Sequence, residues 1–235
     1  MSNRAPIILA VDTSSISTAI SWIKATEDYV SGYKLGLEFF LACGLDGVKE
    51  VSQHIDLDLF LDLKLHDIPN TVSKAAKAIE EFSPRFLTVH ASGGTAMIAA
   101  AVHSLPNTLV TAVTILTSLS ALDVHEIGYS QPPLESAVRL ASLAVKAGAK
   151  ALVCSPQETS AIRNEVGAEP VIITPGVRPI ESSGGDDQVR TMTPSQAIRQ
   201  GANYVVIGRP VTGGDSLQDI HTRAKKIAAD ILIGE

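Results

Sequence analysis

The sequence predicts an α/β chain folded as one (β/α)8 (TIM) barrel domain over residues 1–235. Eight short β-rich runs recur along it, and helix-like segments separate them. No linker, low-complexity tract or composition shift interrupts that alternation. The rival arrangement is an open doubly wound sheet. No Gly-x-Gly-x-x-Gly follows the first strand, so nothing favours a dinucleotide fold.

The candidate strands, in order, begin with IILAVD (7–12), YVSGYKLGL (29–37), LDLFLDLKL (57–65) and RFLTVHA (85–91). They continue with TLVTAVTIL (108–116), ALVCS (151–155), PVIITPG (170–176) and YVVIGRP (204–210). Helical stretches such as 69–82 and 133–148 fall between them. In the second, Leu134, Val138, Leu140, Ala141 and Val145 recur at helical spacing. Pro69 and Pro133 suit first-turn positions, and Gly148 suits a helix stop.

With 45% hydrophobic and 19% charged residues, the chain has material for a sizeable core and an ordinary globular composition. A net charge of −6 gives no support for a nucleic-acid surface, and 4% aromatics leave few stacking platforms. A local basic pocket for a small phosphate remains compatible with that charge. Cys43 and Cys154 lie far apart, and Cys154 sits in an apolar run, as free thiols in a reducing compartment would. The histidines show no close His/Cys spacing, so no metal site is expected. MSNRAPIILAVD has too short an apolar stretch for a secretory signal, and no run reaches membrane-spanning length. The expectation is a cytoplasmic protein that binds neither membrane nor nucleic acid.

FLDLKLHDIPNTV (60–72) mixes a strand's apolar rhythm with ionisable groups. Side chains alternate between the faces of a strand. Leu57, Leu59, Leu61, Leu63 and Leu65 share one parity and would face the helices. Asp58, Phe60, Asp62 and Lys64 share the other, which places Asp62 and Lys64 inward at the C-terminal mouth, where barrel enzymes keep their chemistry. Other inward rows end in polar groups too: Asp12 at the end of the first strand, Lys34 in the second, Thr88 and His90 in the fourth. Two carboxylates and two ammonium groups converging there would keep one another ionised. The bland alternative is an internal Asp–Lys salt bridge that merely closes the barrel, although a buried ionic network is a poor source of stability.

The last two strands end in TPGVRP and VIGRP, and the loops after them are the usual phosphate grip of barrels. Gly176 and Gly208 permit close backbone approach, and Arg178 and Arg209 offer guanidinium forks. Residues 179–193, with Gly184 and Gly185, read as a lid from which Gln188 could reach a phosphate, or as a plain surface loop. ASGG (91–94) presents backbone N–H groups or only a tight turn. Thr117 in LTS (116–118) could bond a polar ring or simply cap the next segment of the chain.

DLKLHDIPNT (62–71) resembles the signature of the orotidine 5′-phosphate decarboxylase family. AVD, KLG, VHASGG, LTS, PGVRP, DDQ and IGRP resemble its other motifs in the family's order, from Asp12 to Arg209. The resemblance implies a homodimeric barrel that converts orotidine monophosphate to uridine monophosphate without metal or organic cofactor, the last step of pyrimidine nucleotide synthesis. It implies that Lys64 is the proton donor and that Asp62 lies beside the substrate carboxylate. It further implies that Asp67, with Ile68 and Thr71 nearby, reaches across the dimer interface. Lys34 and Asp12 would contact the ribose, and Thr117 the pyrimidine. Gln188, Gly208 and Arg209 would hold the phosphate, with Arg178 in the same closing region. Two rivals stand beside this: a magnesium-dependent sugar-phosphate decarboxylase or hexulose-phosphate synthase of the same suprafamily, and a non-catalytic barrel that binds phosphate ligands. Such magnesium enzymes tend to carry Glu where this chain has Lys34, and a cation there would repel a metal.

Overall fold

A computed structural model describes residues 4–178 and 192–233. Its eight strands close into a parallel barrel in sequence order, and the last pairs with the first. They are β1 (Ala5–Ala10), β2 (Val30–Gly36), β3 (Asp58–Leu65), β4 (Phe86–His90), β5 (Leu109–Val113), β6 (Ala151–Val153), β7 (Val171–Thr174) and β8 (Tyr204–Ile207). The helices are α1 (Ile16–Thr26), α2 (Leu37–His54), α3 (Pro69–Ala78), α4 (Gly94–Ser104), α5 (Ala121–Glu126), α6 (Pro133–Lys146), α7 (Thr159–Val166), α8 (Pro194–Arg199), α9 (Arg209–Thr212) and α10 (Leu217–Ile233).

Strand parity sorts the apolar residues into two cores. Ile8, Phe60, Phe86, Ala151, Ile173 and Val206 fill the barrel interior. Leu9, Leu35, Leu61, Leu87 and Ile207 alternate with them and pack outward against the helices. Each such leucine or isoleucine, taken wholly out of water, contributes about 1.5–3 kcal/mol.

Local chemistry sets the element ends, which depart from the sequence expectation in several places. The helix expected over 69–82 stops at Ala78, and a single 3-10 turn (Glu80–Phe82) follows. Pro84 disfavours helical backbone at Ser83, which adopts φ 45°. Gly148, at φ 98°, follows the end of α6, as a left-handed helix stop should. β5 ends at Val113 rather than near residue 116, so Thr117 lies in the turn beyond it. β8 ends at Ile207, and Arg209 already opens α9.

Register brings the polar strand ends together. Ala10 pairs with Lys34, Phe60 also lies opposite Lys34, and Gly36 pairs with Asp62. Asp12, two residues beyond Ala10, therefore meets Lys34 from one side, and Asp62 meets it from the other.

Candidate active site

Lys34 projects between two carboxylates. Its Nζ stands 3.5 Å from Asp12 Oδ1 and 3.2 Å from Asp62 Oδ2. Lys64 Nζ donates to the other Asp62 oxygen, Oδ1, at 2.8 Å. The four groups form one alternating chain, Asp12–Lys34–Asp62–Lys64. It opens from buried to solvated at both ends: side-chain exposure is 12% for Lys34 and Asp62, 30% for Lys64 and 58% for Asp12.

Burial penalises both central charges, and their neighbours outweigh that penalty. Burial alone would raise the Asp62 carboxyl, but Lys34 and Lys64, with hydrogen bonds from Lys64 and Thr88, hold it below the usual carboxylate range. Burial alone would lower Lys34, but Asp62 and then Asp12 hold its ammonium above the ordinary lysine value. Both groups are therefore ionised at neutral pH. Gly36 makes room for this arrangement, because a side chain there would start 3.1 Å from Lys34 Nζ.

Simple alternation does not deliver Lys64 to the site, and this corrects the parity argument. Leu61 pairs with Leu87 and Leu65 with Val89, so four steps along β3 cover two steps of β4. Within this bulge Lys64 takes φ 47°, a left-handed conformation that costs a non-glycine residue about 1–2 kcal/mol. Its backbone N–H donates to Thr88 Oγ1 at 2.8 Å, and the Thr88 hydroxyl donates to Asp62 Oδ1 at 3.0 Å.

The chain lines one wall of a cavity of about 250 Å³ at the C-terminal mouth. Thr117 lines it from the turn after β5. Pro175, Gly176, Arg178, Gly208 and Arg209 line it from the ends of β7 and β8, and Phe60, Val113 and Val206 are among its apolar lining. Gly208 permits close approach to β1, since a Cβ there would lie 3.3 Å from Ala10 Cβ and 3.6 Å from Asp12 Oδ2. Arg178 and Arg209 thus line the same cavity as an ionic chain whose formal charge sums to zero, an arrangement fitted to a polar ligand with an anionic tail.

Asp67, Ile68 and Thr71 do not line this cavity; all three are exposed. Asp67 Oδ1 accepts the Ile68 N–H at 2.7 Å. Asp67 and Ile68 border a separate open concavity with His66, Pro69, Ser92 and Gly93. Gly93 ends a 3-10 turn and Gly94, at φ 83°, opens α4, so ASGG makes a tight turn here. Gln188, Gly184 and Gly185 lie outside the described residues. Among the described residues, no group of three or more His, Cys, Asp or Glu side chains is placed to hold a metal ion. No helix among them is long and apolar enough to cross a membrane.

Sequence reasoning assigned no role to Thr88 or to the space above Gly36. Thr88 carried the inward parity, but nothing in the sequence separates it from Thr111, which shares that parity in β5 and spends its hydroxyl on the Leu109 carbonyl.

Comparison with known proteins agrees with this geometry. Residues 5–221 match the model of the orotidine 5'-phosphate decarboxylase / HUMPS family. The chain is 49% identical over 208 residues to the orotidine 5'-phosphate decarboxylase of Thermobifida fusca, covering 88% of this chain and 89% of that protein. It is 46% identical over 220 residues to the Gluconobacter oxydans protein of the same name, covering 90% and 92%. The crystal structure of the Lactobacillus acidophilus orotidine 5'-phosphate decarboxylase superposes with a TM-score of 0.79 at 33% identity, covering 95% of this chain and 98% of that one. On the match along residues 5–221 and these relatives, the chain belongs to the orotidine 5'-phosphate decarboxylase / HUMPS family.

Proposed function

We propose that the chain decarboxylates orotidine 5'-monophosphate to uridine 5'-monophosphate in pyrimidine nucleotide synthesis, with Lys64 as proton donor. The observation that carries this reading is the Lys64 ammonium, held 2.8 Å from Asp62 at the mouth of the barrel, in a cavity that Arg178 and Arg209 also line. The relatives bear the name of that enzyme.

Breaking the bond between the ring carbon and its carboxylate releases carbon dioxide and leaves the electron pair on that carbon. The orbital lies in the ring plane and cannot delocalise into the π-system. The protein must therefore stabilise the charge itself. A fixed ammonium at Lys64 does so electrostatically and then transfers its proton to the carbon. Neutral Lys64 regains a proton from solvent, which closes the cycle. Asp62, ionised between two lysines, lies beside the departing carboxylate and disfavours the charged ground state more than the transition state.

Lys34 and Asp12 serve the ribose in this reading, and Thr117 the pyrimidine. Arg178, Arg209, Gly208 and Gln188 hold the phosphate. Grip on that remote group supplies binding energy that orients the ring. Asp67, Ile68 and Thr71, exposed and outside the lining of their own cavity, complete the site of a neighbouring copy in this reading, so the working form is a homodimer. The whole chain acts as one barrel domain, in the cytoplasm.

No metal or organic cofactor takes part. Lys34 sits between Asp12 and Asp62, where a divalent ion would need those carboxylates. The magnesium-dependent sugar-phosphate reading meets that obstacle. The deciding assay follows the absorbance of orotidine monophosphate, with and without a chelator. Turnover that survives chelation is expected. Loss of turnover on chelation, restored by magnesium, would favour the sugar-phosphate enzyme, and binding without any turnover would favour a non-catalytic barrel.

A further inference from the structure

We infer that Thr88 is a positioning residue for Lys64: its hydroxyl locks the β3 bulge in the one backbone conformation that turns the Lys64 ammonium onto Asp62. The inference rests on the proposed role of Lys64.

The bulge removes Lys64 from the regular β3–β4 ladder, since pairing resumes only at Leu65 with Val89. A backbone N–H displaced in this way needs another acceptor. Thr88 stands between the two β4 residues that flank the break, fully buried. Its single hydroxyl hydrogen goes to Asp62 Oδ1 at 3.0 Å, and its oxygen accepts the Lys64 N–H at 2.8 Å. Lys64 Nζ returns to the same Asp62 oxygen at 2.8 Å. Backbone amide, hydroxyl, carboxylate and ammonium thus form one closed loop. It ties the left-handed backbone of Lys64 to the position of its own charged end.

A hydroxyl that only satisfied a buried carboxylate would not need to touch the Lys64 backbone. A hydroxyl that only stabilised the bulge would not need to touch Asp62. Thr88 does both, so losing it should move the ammonium relative to the reacting carbon. Substrate gripped at the ends of β7 and β8, which carry no contact to Thr88 among its hydrogen bonds, should feel the change little.

The test uses Thr88→Val, which keeps shape and deletes the hydroxyl, and Thr88→Ser, which keeps the hydroxyl. For Thr88→Val, kcat on orotidine monophosphate should fall at least about tenfold, towards the roughly hundredfold cost of a misplacement of about 1 Å, with KM within about twofold of wild type. Thr88→Ser should recover most of that loss. A Thr88→Val kcat near wild type, or equal losses in the two variants, would overturn the inference. Amide hydrogen exchange of the wild-type chain gives a second, activity-independent reading, which also serves if Thr88→Val does not fold. The Lys64 N–H should be protected, and exchange as fast as an open loop amide would sink the inference. An inactive wild type would overturn the proposed reaction and leave the exchange result to judge Thr88 alone.

Discussion

The Lys34 ammonium lies 3.2 Å from the Asp62 carboxylate, and both side chains are only 12% exposed. Removing one partner of such a buried pair strands the other charge, at a cost of about 3–5 kcal/mol. Lys64 and Thr88 still hold Asp62, which places Lys34→Met near the lower end, at about 3 kcal/mol. Urea denaturation at neutral pH measures it. A loss below about 1 kcal/mol would mean that Asp62 draws its compensation from Lys64 and Thr88 alone.

His90 makes stability depend on mildly acidic pH. Burial, then the neighbouring His66 and Lys64, lower its pKa, against a smaller opposing pull from Asp62. Its ring lies 5.3 Å from that of His66. The unfolded chain therefore takes up this proton more readily than the folded one. The contribution of neutral His90 is present above the unfolded value of about 6.5 and is lost as pH falls through the lower folded value. Thermal midpoints at pH 7.5 and about 5.5 should fall further apart for wild type than for His90→Asn. Equal shifts in the two proteins would refute the assignment.

Arg209→Ala should weaken binding of orotidine monophosphate and slow its turnover, because in the proposed reaction the phosphate both anchors the substrate and orients its ring. On the nucleoside, which lacks the phosphate, the same substitution should be nearly silent. An equally large loss on the nucleoside would make Arg209 a structural residue.

Alternation along β3 was legible because a two-residue period needs only the local sequence, and Phe60 and Asp62 do point inward. The β3 bulge was not legible. It arises from a mismatch with β4, a strand that begins more than twenty residues later, and so Lys64 reached its expected place by an unexpected route. The end of β5 was not legible for a similar reason: the apolar run continues through Leu116, but the register with β6 ends at Val113. Arg163 shows the limit most plainly. It looks like one more polar residue of α7, yet it donates to the carbonyls of Gly167, Pro170 and Gly201 and to the side chain of Asn203. Gly201 and Asn203 reach it only once β8 lies beside β7.

The proposed composite site makes a prediction about mixtures. Asp67→Ala chains and Lys64→Ala chains should each be inactive alone. In a mixed dimer, one pocket combines an intact Lys64 with an intact Asp67 from the other chain, and the second pocket lacks both. Random reassortment makes about half the dimers mixed, each with one working site, which gives roughly a quarter of wild-type activity. No recovery, despite demonstrated subunit exchange between folded chains, would place Asp67 in its own chain's site or give it another role.

Lys64→Ala is the most direct test of the whole reading, because the proposed chemistry passes through one proton on one nitrogen. The measurement is turnover of orotidine monophosphate by the folded variant, alongside its affinity for uridine monophosphate. The expected result is turnover lost by several orders of magnitude while the nucleotide still binds. Near-normal turnover would contradict the reading and remove Lys64 as the proton donor.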